Sequence, residues 1–312
     1  ALFGHYGLVI LDADDANLKR QFIPFIKEEL LKQTAFSKVN ETIEQFGNYT
    51  VQVNPREINL FFIEDNLRER IIFEDGGYKI NNTKIHFSEQ ELLAELELHP
   101  EKFSPNVVMR PLYQEVILPN LAYIGGGGEI AYWLELKSFF ETVKVTFPML
   151  IVRNSVVLAT EKQLKKADAL ALTWSDLFQK QTLLINNKTK QLSEFDIDLS
   201  DLKQQLQQQF QALNELTYKT DRSFEGAVKA QEVKQTKGLE QLEKRLLKAQ
   251  KRKLADSLSR ITALQNELFP NQSLQERQAN FSEFYLENGE QLLPKLVNEI
   301  KPLSTNFTII TF

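Results

Sequence analysis

The chain has 312 residues, a formal net charge of -5, 42% hydrophobic residues and 25% charged residues, a balance typical of one large or two ordinary soluble domains. It contains no cysteine, which excludes disulfides, a thiolate nucleophile and Cys-ligated metals within this chain, and its three histidines do not have the spacing of a zinc motif. No apolar run is long enough to span a bilayer, no secretory signal is visible, and the slight acidity gives no reason to expect nucleic acid as a partner. We therefore expect a cytoplasmic protein without membrane or nucleic acid partners.

The first 54 residues predict a β-α-β unit. Tyr6 to Leu11 is an apolar run typical of a buried strand. The acidic loop Asp12 to Asp15 follows it and can cap a helix, whose apolar residues recur at helical spacing in pieces up to Phe46. Val51 and Val53 then indicate a second short strand.

The segment at about 55–87 changes period and predicts a small antiparallel meander inserted into the larger fold. Its strand-like runs flank Asp75-Gly76-Gly77, which marks a turn. Ser88 and Glu91 form a capping box for the next helix. Ser104-Pro105 indicates the start of a further helix that runs to about Leu118.

A strand, a glycine run and a helix follow one another in the next segment. Leu121 to Ile124 predicts a buried strand, Gly125 to Gly128 a loop, and Glu129 the start of a helix. Met149 to Val152 resumes the sheet and is followed by Arg153-Asn154. Residues 1–158 therefore read as an α/β core.

From Glu161 to Leu268 the composition shifts to Leu, Gln, Lys and Glu, and apolar residues recur every seven positions. This repeat predicts helices packed along a narrow seam, with a hairpin turn at residues 220–223. A helix from Asp221 to Leu268 would be about 70 Å long, so residues 159–270 should project as an antiparallel arm. In residues 271–312, Ser273 and Glu276 form a second capping box, helices follow, and Phe307 to Ile310 is a strand expected to return to the core.

The glycine run is the strongest chemical feature. A strand, a glycine loop and a helix start place several backbone N–H groups and the positive end of a helix dipole around one point, where an anion or carboxylate can bind. The alternative is a tight strand-to-helix turn without a ligand. Gly125, Gly126, Gly127 and Gly128 match neither the Walker pattern nor the dinucleotide fingerprint.

Charged residues near this loop are further candidates for binding. Arg153 and Asn154 follow a strand at the edge where open α/β sheets place ligands, and Arg110 lies shortly before the loop in sequence. Taken singly, each Arg is better explained by a surface ion pair. Asp12 and its acidic neighbours have the chemistry to bind a ribose hydroxyl, an amine or Mg²⁺, although a helix N-cap is the commoner role.

Several blocks of this sequence resemble a known family, the cysteine-adding ligases of bacillithiol biosynthesis. The blocks occur in family order and cover most of the chain. They are Ser104 to Gln114, Leu118 to Gly126, Glu129 to Trp133, Arg153 to Ser155, Leu246 to Lys253 and Leu274 to Arg277.

The resemblance implies an α/β fold with a Rossmann-like core, incomplete in this chain, that carries the small β insertion, and a long antiparallel α-helical coiled-coil domain that forms a homodimer. It implies a ligase that adds L-cysteine to glucosaminyl-malate in bacillithiol biosynthesis. Members are much longer than 312 residues. We therefore expect this chain to be the C-terminal part, with part of the active site in the N-terminal half that it lacks.

The chemistry implied by the resemblance is amide formation, which requires an activated carboxylate. ATP is the expected cosubstrate, with Mg²⁺ as a candidate ion: adenylation of cysteine would precede attack by the sugar amine. In that scheme Gly125 to Gly128 and Arg153, with Asn154 next to it, hold an anionic group, while Arg110 and Asp12 orient the substrate. No residue of the chain is identified as a general base.

Two other readings of the sequence stay open. The arm accounts for over a third of the chain, so the protein can be a coiled-coil dimerisation or interaction module without catalysis. A nucleotidyl- or glycosyltransferase also uses an open α/β sheet, and fold analogy does not separate it from a ligase.

Overall fold

The structure, a computed structural model, describes residues 2–221 and 223–312. It divides into two compact units, the first ending at Arg153 and the second beginning at Asn154. The helices are α1 (Ala16–Lys32), α2 (Thr34–Glu44), α3 (Glu89–Leu98), α4 (Arg110–Ile117), α5 (Gly127–Leu134), α6 (Lys137–Val143), α7 (Glu161–Ala169), α8 (Trp174–Leu177), α9 (Gln181–Leu192), α10 (Ser200–Thr217), α11 (Ser223–Lys253), α12 (Ala255–Leu268), α13 (Gln275–Gln278), α14 (Phe281–Asn288) and α15 (Leu292–Glu299). The strands are β1 (Leu60–Glu64), β2 (Leu67–Glu74), β3 (Gly77–Ile80), β4 (His86–Phe87), β5 (Phe103–Pro105), β6 (Ala122–Gly125), β7 (Met149–Val152), β8 (Val156–Ala159) and β9 (Thr308–Thr311).

The predicted meander is confirmed as part of a five-stranded antiparallel sheet in the order β4-β3-β2-β1-β5. Its turn between β2 and β3 places Asp75 and Gly76 in the left-handed region, at φ +53° and +79°. Alternate side chains such as Phe62 and Ile71 are buried, and the predicted capping box of Ser88 and Glu91 begins α3.

The prediction of a helix from Ser104 is wrong. Phe103–Pro105 instead pairs with β1 as the fifth strand, and α4 begins only at Arg110. The side chain of Asn106 accepts hydrogen bonds from Val108 N and Met109 N, which holds the backbone in a turn before the helix.

The two strands predicted at residues 6–11 and 51–53 are absent from the described part of the chain. Leu8, Val9 and Ile10 are 57%, 65% and 85% exposed, because no described strand pairs with them and no described layer covers them. The backbone amides of Gln52 and Val53 donate to the fully buried carboxylate of Glu135, at 2.7 and 3.3 Å, instead of to a strand. The predicted β-α-β unit at residues 6–54 is therefore wrong.

The two helices between those segments form as the sequence predicts. Asp15 caps α1 by accepting from Asn17 N and Leu18 N. Gln33, at φ +53°, separates α1 from α2. The buried carboxylate of Glu29 accepts from Ala35 N at 2.9 Å and from both the backbone and the side-chain amide of Asn59, at 3.0 and 2.8 Å. This carboxylate fastens α1 to α2 and to the residue before β1.

A parallel pair of strands ends the first unit. β6 pairs with β7 in the register Ala122↔Met149 to Gly125↔Val152, and α5 and α6 connect them. This β-α-β segment is the Rossmann-like element of the structure. Trp133, Phe139 and Phe140 from its helices are buried, whereas Leu121, predicted to be buried, is 94% exposed.

The second unit contains its own parallel pair, β8 and β9, in the register Val156↔Thr308 to Ala159↔Thr311. β9 corresponds to the strand predicted near the end of the chain, and its partner is β8 instead of the β6–β7 pair. The predicted capping box of Ser273 and Glu276 is wrong, because the Glu276 carboxylate accepts from Ser155 Oγ and Val156 N. Glu276 thereby attaches α13 to the start of β8.

The helical arm is confirmed. Leu184, Ile261 and Leu264 are buried in a shared core between α7, α9 and α12. The ion pair of Lys203 with Glu243, at 2.6 Å, places the start of α10 beside the second half of α11, so these helices run antiparallel. The helix predicted to be continuous to Leu268 is interrupted at Leu254, and Arg222 of the predicted hairpin turn lies outside the described residues.

Candidate functional site

The glycine loop joins the end of β6 to the start of α5. Gly125 is the last residue of β6, Gly126 is the N-cap, and α5 starts at Gly127. The N–H of Gly126 donates to the Glu129 carboxylate at 2.7 Å, so this donor is already used. Gly127 and Gly128 are exposed, their N–H groups have no acceptor among the described residues, and a Cβ at either position would meet nothing within 4 Å. Two helix N-terminal donors therefore face open space.

Gly125 is required by close packing. A Cβ at this position would lie 2.7 Å from Tyr123 Cε1, 3.2 Å from Glu129 Cβ and 3.2 Å from Ile130 Cδ1. The Tyr123 ring cannot move freely away, because it stacks on the buried Trp133 ring with centroids 4.2 Å apart. The first residue of the loop is thus held in place by packing against Tyr123, which stacks on Trp133.

Arg153 lies beside this loop through its backbone. Its N–H donates to the carbonyl of Gly125 at 2.9 Å, which extends the β6–β7 ladder by one bond. Its guanidinium is exposed and forms no ion pair within residues 2–221 and 223–312. An exposed guanidinium at the end of β7 and the free N–H donors at the start of α5 each have the chemistry to bind an anionic group.

Asn154 belongs to the second unit. Its side-chain amide donates to the carbonyls of Lys301 and Ser304, both at 3.0 Å. These bonds hold the segment that leads into β9, so the amide N–H groups of Asn154 are engaged in a structural contact.

Arg110, the first residue of α4, lies near the phenol of Tyr132 on α5. Burial raises the pKa of Tyr132, the neighbouring Tyr123 phenol raises it further, and the positive charge of Arg110 acts in the opposite direction. The guanidinium of Arg110 is exposed. Arg110 is therefore positioned next to the aromatic residues that support the glycine loop.

Asp12 takes part in a local turn before α1. Its carboxylate accepts from Asp14 N at 3.0 Å, and Asp14 forms an ion pair of 2.9 Å with the buried Lys19. The Tyr113 hydroxyl donates to the carbonyl of Ala13 at 2.9 Å. Burial, followed by the nearby aspartates, raises the pKa of Tyr113 to about 12. The turn thus has a structural partner on α4, and no cluster of three metal-ligating side chains occurs among the described residues.

The structure brings together some of the predicted site residues and adds others. The glycines and the Arg153 backbone share one loop, and Arg110 lies near it through Tyr132. Sequence reasoning did not single out Tyr123, Tyr132 or Trp133, because an aromatic pair on a helix usually indicates core packing. The available signal was the position of Tyr123 two residues before Gly125, on the same face of β6.

Two family models match the chain. Residues 1–154 match the description "Bacillithiol biosynthesis BshC, N-terminal Rossmann-like domain", and residues 156–312 match "Bacillithiol biosynthesis BshC, C-terminal coiled-coil domain". Among the described residues, no helix has the length and apolar character needed to cross a membrane.

Curated relatives agree with these matches. A Flavobacterium johnsoniae protein named "Putative cysteine ligase BshC" is 71% identical over 311 residues, which cover 100% of this chain and 59% of the relative. Proteins of the same name from Flavobacterium psychrophilum and Lysinibacillus sphaericus are 62% and 30% identical, over 99% and 96% of this chain and 58% and 57% of their own lengths. The chain thus spans less than three fifths of the relatives' length.

Proposed function

The chain belongs to the bacillithiol biosynthesis BshC family, and on that premise we propose that the whole protein is a cytoplasmic ligase that adds L-cysteine to glucosaminyl-malate. The names of the relatives support a cysteine ligase. The observation in this chain that supports it most directly is the loop at Gly127 and Gly128, where two free N–H donors lie at the end of a parallel strand. The backbone of Arg153 is bonded to Gly125 of the same loop.

The proposed reaction forms an amide bond with activation by ATP. A carboxylate oxygen of cysteine attacks the α-phosphate of ATP and displaces pyrophosphate, so the cysteine carbonyl acquires AMP as a leaving group. The amine of glucosaminyl-malate then attacks that carbonyl, AMP leaves, and the amine loses a proton to solvent or to a base. Mg²⁺ would accompany ATP as part of this substrate.

The chain's own contribution to this reaction is electrostatic. The N–H groups of Gly127 and Gly128 are fixed donors for an anionic group of the nucleotide or substrate, and the exposed guanidinium of Arg153 supplies a positive charge to the same group. Gly126 is excluded from this role because its N–H is held by Glu129. Arg110 and Asp12 are kept as candidates for orientation of the substrate.

Turnover by the full-length protein tests this proposal. The enzyme would receive ATP, L-cysteine and glucosaminyl-malate, and the amide product, AMP and pyrophosphate would be quantified together. We expect one AMP per amide bond. Amide formation without nucleotide consumption would refute activation by ATP, and no amide product at all would refute the ligase assignment.

The role of Arg153 is tested by Arg153→Met, which keeps much of the side-chain stem but removes the charge. We expect kcat/KM to fall by roughly 100-fold, at the lower end of the range for loss of one preorganised donor. Arg260→Met, at an exposed position on α12, is the matched control and should leave turnover unchanged. Unchanged kinetics of Arg153→Met would remove Arg153 from the proposed mechanism.

We also propose that the coiled coil forms a homodimer. The α10–α11 pair leaves large apolar side chains exposed, with Leu202 at 48%, Leu216 at 49%, Val233 at 54% and Leu242 at 55%. Exposed apolar rows of this kind are typical of an interface between helices. Sedimentation equilibrium of the full-length protein should give twice the monomer mass, and a monomer at micromolar concentration would exclude this dimer.

A further inference from the structure

The first unit contains a cavity of about 300 Å³ that is lined by residues of α2, of the segment before β1, and of β2. Three charged residues line it, and they are Arg56, Glu57 and Arg70. The rest of its lining is apolar and includes Phe36 and Phe73, which are 37% and 47% exposed. The cavity thus combines two positive charges and one negative charge with an apolar wall.

The three charged groups are free to bind a ligand. Within residues 2–221 and 223–312, the guanidinium groups of Arg56 and Arg70 and the carboxylate of Glu57 form no hydrogen bond and no ion pair, and all three residues are exposed. Arg68 differs from them, although it lies on the same face of β2 as Arg70. Its Cζ lies 3.9 Å from the centroid of the Phe61 ring, and it does not line the cavity.

The backbone that carries the two arginines is fixed on both sides of the cavity. The N–H of Arg56 donates to Asn59 Oδ1 at 3.0 Å, and Asn59 Nδ2 donates to the carbonyl of Arg56 at 2.6 Å. Asn59 is fully buried and bound to the Glu29 carboxylate. Arg70 lies within β2, and its carbonyl accepts from Asn81 N at 2.9 Å. A ligand would therefore have to order only the side chains, which lowers the entropic cost of binding.

The charges around the cavity select the ligand. A guanidinium binds a carboxylate through two parallel hydrogen bonds, so two free guanidinium groups favour a ligand with two carboxylates. The Glu57 carboxylate would repel a further anionic group and favours an ammonium group. The apolar wall at Phe36 and Phe73 can contact a carbon chain, which inorganic phosphate does not have. The lining therefore matches a small aliphatic molecule with two acid groups and one amine.

We propose that this cavity binds an aminodicarboxylate, with Arg56 and Arg70 each bound to one carboxylate and Glu57 bound to the ammonium group. None of these residues belongs to the glycine loop. Glucosaminyl-malate carries the same three charged groups, so its assignment to this cavity rests on the proposed function. Binding of a free aminodicarboxylate does not rest on it.

L-aspartate is the simplest probe of this site. Its Kd for the chain would be measured by ligand-observed NMR titration without ATP or cysteine, together with the Kd values of succinate, which lacks the amine, and of L-asparagine, which lacks one acid group. We expect saturable binding of L-aspartate in the millimolar range. Each analogue should bind about three- to fivefold more weakly, because one exposed charge pair contributes little to affinity.

Variants of the lining residues identify the site. Arg56→Met and Arg70→Met should each raise the Kd for L-aspartate about three- to fivefold. Arg68→Met is the matched control and should leave this Kd unchanged, because Arg68 lies on the same strand but does not line the cavity. Glu57→Gln should raise the Kd for L-aspartate but not the Kd for succinate, so that the preference for the amine is lost.

Three results would overturn the assignment. Absence of saturable L-aspartate binding by the chain, shown to be folded by circular dichroism, would refute the site. Equal Kd values for Arg68→Met, Arg56→Met and Arg70→Met would show that L-aspartate binds elsewhere. Succinate that binds as tightly as L-aspartate would refute the role of Glu57. Saturable binding with the expected losses would support the site even if the full-length protein showed no ligase activity.

Discussion

Substitution of Gly125 by alanine is the sharpest test of the packing beneath the glycine loop. The added methyl group would lie 2.7 Å from Tyr123 Cε1, a separation that real Cβ atoms do not tolerate. The ring must shift, and its stacking on the fully packed Trp133 opposes that shift. Overpacking of this kind costs about 1–3 kcal/mol of unfolding free energy.

Gly128→Ala is the matched control. It is three residues away, in the first turn of α5, and its added methyl group would meet nothing within 4 Å. Alanine is preferred to glycine inside a helix by about 0.5–1 kcal/mol, so this variant should be neutral or slightly more stable. The two variants make the same chemical change, and only the contacts differ.

Urea unfolding of both variants measures the difference. We expect Gly125→Ala to be less stable than Gly128→Ala by about 1–4 kcal/mol, with a lower melting temperature by about 2–4 °C for each kcal/mol. Near-ultraviolet circular dichroism should change only in Gly125→Ala, because only there does the Tyr123 ring move. Equal stability of the two variants, within about 0.5 kcal/mol, would refute a clash between the added methyl group and the Tyr123 ring.

The remaining predictions concern a buried charge and the core of the arm. Burial raises the pKa of Glu29 above 4.5. The contribution of Glu29 to the free energy of unfolding is therefore fully present below pH 4.5 and is lost as the pH rises through the folded-state pKa. Glu29→Gln should abolish that loss in urea titrations across about pH 4–8. The hydrogen bond with Lys32 lowers the pKa of Glu28, so Glu28→Gln should instead abolish a loss of stability on acidification. Equal plots of unfolding free energy against pH for the two variants would contradict both assignments. Ile261→Ala, at a fully buried position, should destabilise the second unit by about 2–5 kcal/mol. Leu286→Ala, at a position 85% exposed on α14, should change stability by about 0.5 kcal/mol or less, and similar effects of the two substitutions would contradict the assigned core.

The parts of the fold that could be predicted depend on neighbouring residues. The cap at Asp15, the capping box of Ser88 and Glu91, and the turn at Asp75 and Gly76 each close within a few residues. The seven-residue repeat of the arm is likewise a local pattern. Such features form as predicted because the interacting groups are already close along the chain.

Each wrong prediction concerns a segment whose interaction partner lies far away in the sequence. The amide of Gln52 binds Glu135, 83 residues away, instead of a strand. Glu276 binds Val156 N, 120 residues away, instead of capping its own helix. Phe103–Pro105 becomes a strand because β1 offers it an edge. In each case a long-range acceptor or edge displaced the local interaction that the pattern favoured.

The candidate site also contains some residues that could be predicted from the sequence and others that could not. The glycine loop and the backbone of Arg153 could be anticipated, because parallel strands end at the same edge of a sheet. The aromatic residues that pack beneath the loop could not, because Tyr132 and Trp133 have the spacing and composition of ordinary core residues.

The Tyr123 ring connects the glycine loop to the buried aromatic residue Trp133. Its ring lies against the position where a Cβ of Gly125 would stand, and the same ring stacks on Trp133. A ligand at the glycine loop that shifts Gly125 must therefore press on Tyr123 and change the environment of the indole.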